Sequence, residues 1–414
     1  MLRGVTLLLL TVVLGSCMQQ PQPSASAASA SLLLPQEIDY TLANRGHNAW
    51  GYIDLSGNFL IQPQFEVAGP FVEDLAVVCS LTGGLLAKKV PKYGFVKRSG
   101  EYLVQPQFDD ARSFANGFAA IEIGKKWGFI DRTGKIVIPA EYDVVGDFLD
   151  GLAPAAVGGR AWYGSWGYLE PSGRWAIEPT FDAARPFSEG LAAVWTGAVW
   201  SKPDPVATKG GGAWGYIDRT GTLVIPARFH EVQPFHEGLA VAAEIGKYPH
   251  GYLDRSGQWK IQPQFGHTGF FEKGRAVVQF TDETRRPRKP HWGVIDTEGR
   301  FVIELKFSEL GPFREGLAHA CEYGGKCGYI DESGRYAIDP RFGGAQDFSE
   351  GLAVVFERPG GGFGYIDHTG NFAIRPQFEK AEPFRNGVAR INIHDRTAYV
   401  TRDGRILPPS AAKP

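Results

Sequence analysis

The chain has 414 residues, 43% of them hydrophobic, 13% aromatic and 21% charged, with 53 Gly and 28 Pro. That is enough apolar surface for a packed core, joined by unusually frequent turns, and it excludes a disordered or collagen-like chain. A formal net charge of -2 leaves no global field to draw the protein to nucleic acid or to an anionic membrane, so any charged contact must be local.

At the start of the chain, Met1 and Arg3 precede an apolar run from Val5 to Leu14, followed by Gly15, Ser16 and Cys17. The run is too short to span a bilayer and reads as the core of a signal peptide, residues 1–16. A Cys directly after Leu-Gly-Ser resembles the lipobox of bacterial lipoproteins, which implies that Cys17 is acylated. The alternative is an ordinary secretory signal with a coincidental Cys. Either implies export, and Met18 after the Cys implies the outer membrane or cell surface if the host is diderm. Residues 17–36 are dominated by Ser, Ala, Gln and Pro and read as a lipidated, disordered tether.

From residue 37 to 407 the chain is a tandem array. Its best copy is Trp214-Gly215-Tyr216-Ile217-Asp218-Arg219-Thr220-Gly221, followed by Val224-Ile225-Pro226 and Phe229. Copies begin at Trp50, Tyr93, Trp127, Trp166, Trp214, His250, Trp292, Cys327, Phe363 and Thr397. Nine keep the Gly at the second position, and the last has Ala398. Between copies lies a block like Phe187-Ser188-Glu189-Gly190-Leu191-Ala192, and its Phe recurs as Phe71, Phe114, Phe148, Phe235, Phe271, Phe313, Phe348 and Phe384. The pattern resembles the WG-repeat family of bacterial proteins over about nine tenths of the chain. That resemblance implies an exported repeat scaffold and supplies no family-wide activity or site.

Residue types and turn punctuation divide each copy into three strands. Strand A lies at Leu-Ala-Val-Val, strand B at Gly-Tyr-Ile-Asp, and strand C ends in Pro-x-Phe. The Asp-x-Ser/Thr-Gly link makes B and C a hairpin, the Asp accepting backbone hydrogen bonds and the Gly taking positive φ. Alternation puts Trp214 and Tyr216 on one face of strand B and Gly215 and Ile217 on the other. The glycine leaves room for a close neighbour, and the recurrent Phe is the expected occupant. The fold class is all-β: about ten three-stranded antiparallel meanders stacked into an open or spiralling array, with a closed propeller-like ring as the alternative. Residues 408–414 read as a disordered tail.

Asp54, Asp131, Asp218, Asp254, Asp296, Asp331 and Asp367 recur once per turn, which marks them as turn residues rather than catalytic acids. The nine His lack the pairwise spacing of a zinc site, and no nucleophile elbow or phosphate loop occurs, so neither metal nor cofactor is expected. Function should sit where the chain departs from its own rule. Four insertions, Leu81–Lys92, Gly158–Ser165, Thr196–Ala213 and Thr281–His291, fall between strands A and B and should project from one rim. In or beside them lie Trp162, Tyr163, Trp195 and Trp200, and the basic group Arg285, Arg286, Arg288 and Lys289, as candidate partner contacts. The bland alternatives are rings packed under long loops and a solvated charged loop. Cys321 and Cys327 flank a turn at the end of one strand A and are candidates for a disulfide. The expected role is a non-enzymatic, lipid-anchored envelope scaffold for protein–protein contact. A glycan-binding module using exposed rings is the alternative, and a hydrolase built on the insertions a remote one.

Overall fold

The computed structural model describes residues 34–39, 48–54, 59–83, 89–158, 165–197, 211–246, 249–281, 289–358, 360–394 and 396–407. They all belong to the unit Leu32–Pro414. The signal segment, Cys17, Trp162, Tyr163, Trp200, Arg285, Arg286, Arg288 and the tail 408–414 lie outside the described residues. Every described regular element is a strand, beginning with Leu34–Asp39, which takes in three residues assigned above to the tether.

Most described repeats form a four-stranded antiparallel sheet in the order expected, with one strand more than the sequence pattern predicts; the first described sheet has three strands, and the Trp214 and His250 units share one of seven. In the Cys327 unit, Leu317–Cys321, Cys327–Asp331 and Tyr336–Phe342 are strands A, B and C, and the pair Glu309–Leu310 adds to the outer side of A. This short strand is the continuation of the preceding strand C, Phe301–Phe307, interrupted only at Ser308. In the Trp214 unit the interruption vanishes. Strand C runs from Leu223 to Val232, pairing through Ile225 with Tyr216 of its own unit and through Val232 with Ala242 of the next. Each strand C therefore stitches two sheets together.

Strand C breaks its pairing at the proline. Between Trp214↔Phe229 and Tyr216↔Ile225 the register slips, so the backbone around Pro226 bulges toward strand B. That bulge occupies the room left by Gly215: a Cβ there would lie 2.6 Å from Ile225 O and 2.8 Å from Ala227 N. The expectation that the recurrent Phe fills this space is corrected. Both contacts are backbone, which no rotamer change can relieve. The Phe packs elsewhere: the Phe235 ring stands 4.9 Å from the Tyr216 ring at 65°, and Tyr216 Oη donates to Gln233 O at 2.7 Å.

Both faces of strand B are buried, because units stack in series. Tyr216 joins a core with Phe229, Val232, Phe235 and Leu253, reaching into the following unit. Ile217 joins the preceding one, with Leu152, Tyr168, Phe187 and Val194. Glu189 and Gly190 form a two-residue turn with φ of 52° and 77°, the left-handed pair that suits a tight hairpin. The Glu189 carboxylate explains why a non-glycine residue holds that conformation: it accepts from Glu237 N at 2.7 Å and Gly238 N at 3.0 Å in the next unit. Glu237 repeats the clamp on Lys273 and Gly274, and Glu350 on Asn386 and Gly387.

The first residue of most strands C packs on the previous unit, as Trp259 on Phe229, Tyr336 on Phe307 and Phe372 on Phe342. Phe59 of the first unit packs in the same way against Val388 and Leu407 of the last. The terminal units are thus neighbours, a relation that a propeller-like arrangement requires.

Phe235→Ala should lower stability by about 3–5 kcal/mol in denaturant titrations, the cost of an emptied aromatic site. A neutral result would contradict its wedge role between units. Tyr216→Phe should cost about 1–3 kcal/mol, because Gln233 O then loses its buried donor.

Candidate recognition edge

The start of strand B and the end of strand A meet at one edge of each unit, where the insertions emerge. In the Trp214 unit, Trp195 on strand A lies opposite Trp214, their rings 5.5 Å apart and nearly perpendicular. The Arg185 guanidinium sits 4.6 Å above the Trp214 ring, and its Nη1 donates to Val232 O at 2.5 Å in the next unit. The Trp127 unit is closed alike, by Arg112 at 4.7 Å with Nη1 bonded to Val145 O at 2.8 Å. Ring and cation form a lid over the joint between units. Trp195, expected as a partner contact, is half-buried within this packing.

Trp127, Trp214 and Trp292 are all half-buried, and Trp292 has His267 at 5.4 Å. They do not supply the regular ladder of exposed rings that the glycan reading needs. Trp175 and Trp259, which lie off the motif slot, start their strands C and pack on Tyr142 and Phe229.

Cys321 and Cys327 are paired across the A–B hairpin and joined by a disulfide. Tyr323 in the enclosed turn reaches the neighbouring unit, donating to Pro290 O and lying 3.2 Å from His291 Nδ1. Lys289 is exposed, with Nζ 5.3 Å from the Tyr323 ring. Of the basic group, Lys289 is therefore placed beside the disulfide-bonded hairpin.

The last three motif slots hold Cys327, Phe363 and Thr397 in place of Trp, and here the edge opens. One cleft of about 310 Å³ includes Cys327, Gln346, Phe356 and Phe363. A second, of about 420 Å³, includes Gln346, Phe363, Arg390, Asn392 and Thr397. A third, of about 430 Å³, includes Phe356, Phe363, Gln377, Glu379 and the backbone of Gly360–Gly362. Phe363 lines all three.

The recurrent aspartates are occupied by their turns. Asp218 Oδ1 accepts from Thr220 N at 2.9 Å, Thr220 Oγ1 at 2.6 Å and Thr222 N at 3.1 Å. The Thr220 hydroxyl and these amides hold its carboxyl below the usual carboxylate range. Asp131, Asp331 and Asp367 repeat the arrangement.

Sequence reasoning missed one charged group. His319, near the end of a strand A, points Nδ1 at Asp347 Oδ1 of the next unit, 2.8 Å away, with Glu309 Oε1 3.7 Å from Nε2. Burial opposes the imidazolium charge, but hydrogen bonding and attraction from Asp347 and Glu309 outweigh it and raise the group from 6.5 to about 9. Only inter-unit register brings the three together, so nothing in their spacing announces them. The arrangement is an electrostatic clamp beside the clefts, since Glu309 also lines one.

A family model described as "WG containing repeat" matches residues 50–80, 93–127, 127–160, 166–200, 214–248, 251–282, 292–327, 328–357 and 363–396. The chain belongs to the WG-containing repeat family. No curated protein matches it. Among solved structures it is similar to a eukaryotic initiation factor, at 11% identity and a TM-score of 0.42 over 68% of this chain and 80% of that one. It is also similar to apo AztD from Citrobacter koseri, at 14% identity and a TM-score of 0.30 over 82% and 92%. A third is the extracellular domain of the putative one component system BT4673 from B. thetaiotaomicron, at 8% identity and a TM-score of 0.26. That match covers 91% of this chain and 64% of the other. Similarities this loose carry no argument about function.

The His319 clamp sets a pH dependence. A raised folded-state value means its stability is fully present below 6.5 and lost as pH rises through about 9. The unfolding free energy from denaturant titrations should fall across that interval by roughly 2 kcal/mol, allowing for screening at the exposed Glu309. His319→Gln should flatten the fall.

Proposed function

We propose that the protein is a lipid-anchored, extracytoplasmic scaffold that recruits a protein partner at the cell envelope through the A–B edge, without catalysis of its own. The observation that carries this reading is the division of labour within the repeat. The Tyr, Phe, Gly and Asp that define it are engaged in internal joints, while the residues that vary gather along one edge. There the strand ends that flank the insertions, the disulfide-bonded hairpin, Lys289 and the open clefts are found. Large rings and loops on a rigid support suit a recognition surface.

Export draws support from the apolar run Val5–Leu14 before Cys17 and from the Cys321–Cys327 bond, which belongs in an oxidising compartment. The absence of a strong net charge argues against a nucleic-acid partner. Partner recognition needs no cofactor, and attachment to the membrane rests on the lipid alone.

Cys17→Ser should move the protein from the membrane to the soluble fraction, and unchanged fractionation would sink the anchor. Shortening the insertions at 81–92, 158–165, 196–213 and 281–291 together should abolish co-purification of a cross-linked envelope protein with the full chain. Undiminished recovery would place the contact on another surface.

A further inference from the structure

The clefts around Phe363, which form part of the A–B edge, trace to the residues that occupy the motif slot there. In the Trp127 and Trp214 units an Arg in the preceding short strand covers the motif ring and ties itself to the next unit. The equivalent pair is Gln346 and Phe363 in one late unit and Glu382 and Thr397 in the next. A smaller ring or none, without a guanidinium, cannot make that lid. Three consecutive slots depart from Trp, and the three adjoining clefts lie along them, sharing Phe363.

We infer that these clefts form one extended binding site for an uncharged or weakly charged oligosaccharide. Phe363 and Phe356 are half-buried rings that present apolar surface within a cleft that also holds Gln377 and Glu379. Such a surface accepts the C–H face of a pyranose. Around them stand the planar amides of Gln346, Gln377 and Asn392, each with donors and an acceptor that match vicinal hydroxyls.

The charges in the lining decide against a polyanion. The linings hold both signs, Glu309, Glu379 and Glu382 against Lys380 and Arg390 in number, and Arg390 Nη1 already lies 3.9 Å from Glu382. A phosphate chain would meet as much repulsion as attraction. An extended peptide would dock by adding to a free strand edge. Here strand B, Phe363–Ile366, is paired on both sides, by Leu352–Phe356 and Phe372–Phe378, so the floor offers side chains rather than an open ladder. A linear glycan uses side chains in series, and three clefts in a row provide them.

The full-length protein in detergent should bind N-acetylchitotetraose, cellotetraose or maltotetraose in calorimetric titrations at millimolar sugar. Thr397→Trp restores the repeat's own residue and should refill the middle cleft, weakening binding at least tenfold while leaving the unfolding midpoint unchanged or raised. Gln377→Ala, at an exposed position, should weaken binding without affecting folding. A measurable loss in either folded variant supports the site. Binding unchanged in both, or no binding of any of the three sugars to the wild-type protein, overturns it. Shortening the four insertions tests the protein partner separately and should leave the titration unaltered.

Discussion

The structure depends on a joint made by one tyrosine and one phenylalanine. Tyr52, Tyr168, Tyr216, Tyr252, Tyr329 and Tyr365 each leave strand B to meet the Phe of the block that follows, with ring separations of 4.8–4.9 Å. Each phenol also donates to a backbone carbonyl 17 residues on, at 2.7–2.8 Å. Burial raises the phenol of Tyr216 far above its ordinary value, so the hydroxyl stays a donor. A dry ring contact supplies the energy and a single hydrogen bond fixes the register. Phe95 and Phe129 make the ring contact with Phe114 and Phe148 without a hydroxyl, so the ring carries the joint and the phenol adds to it. A joint is needed because a sheet of four short strands cannot bury both faces without a neighbour.

The other recurrent features follow from that joint. Bringing Tyr216 against the next unit requires strand C to cross from one sheet to the next, which it does after a bulge at Pro226. The bulge in turn presses on strand B, and only glycine fits at position 215. The turn carboxylates then tie consecutive units at their other end, as Glu189 does to Glu237 and Gly238. The positions outside this chain of constraints, chiefly the motif slot and the A–B connections, are the ones left free to vary.

The sequence displayed what repeats and concealed what depends on register. The hairpins, the turn role of the aspartates and the need for space at the glycine all follow from residue type and period. The short fourth strand was hidden because its two residues, such as Glu309–Leu310, carry no alternation of their own; they are strand only as the tail of the preceding strand C. What fills the glycine's space was misjudged for the same reason: a bulge is a property of pairing, not composition. His319 was illegible because its partners come from a short strand and from the next unit. The replacements at Cys327, Phe363 and Thr397 were visible as tolerance in the slot. Their meaning needed the Arg lids of other units as a reference.

In an array whose every joint is packed, a new pocket does not need an inserted domain; losing a covering residue suffices. Gln346 supplies neither the cation nor the tie to the next unit that Arg112 and Arg185 supply, yet the Tyr329 phenol bonds to the Gln346 backbone carbonyl. The inter-unit joint therefore survives while the surface above it opens. The joint and the surface use different atoms of the same residue, so the slot and its lid are free to vary from unit to unit while the wedge beneath them is held.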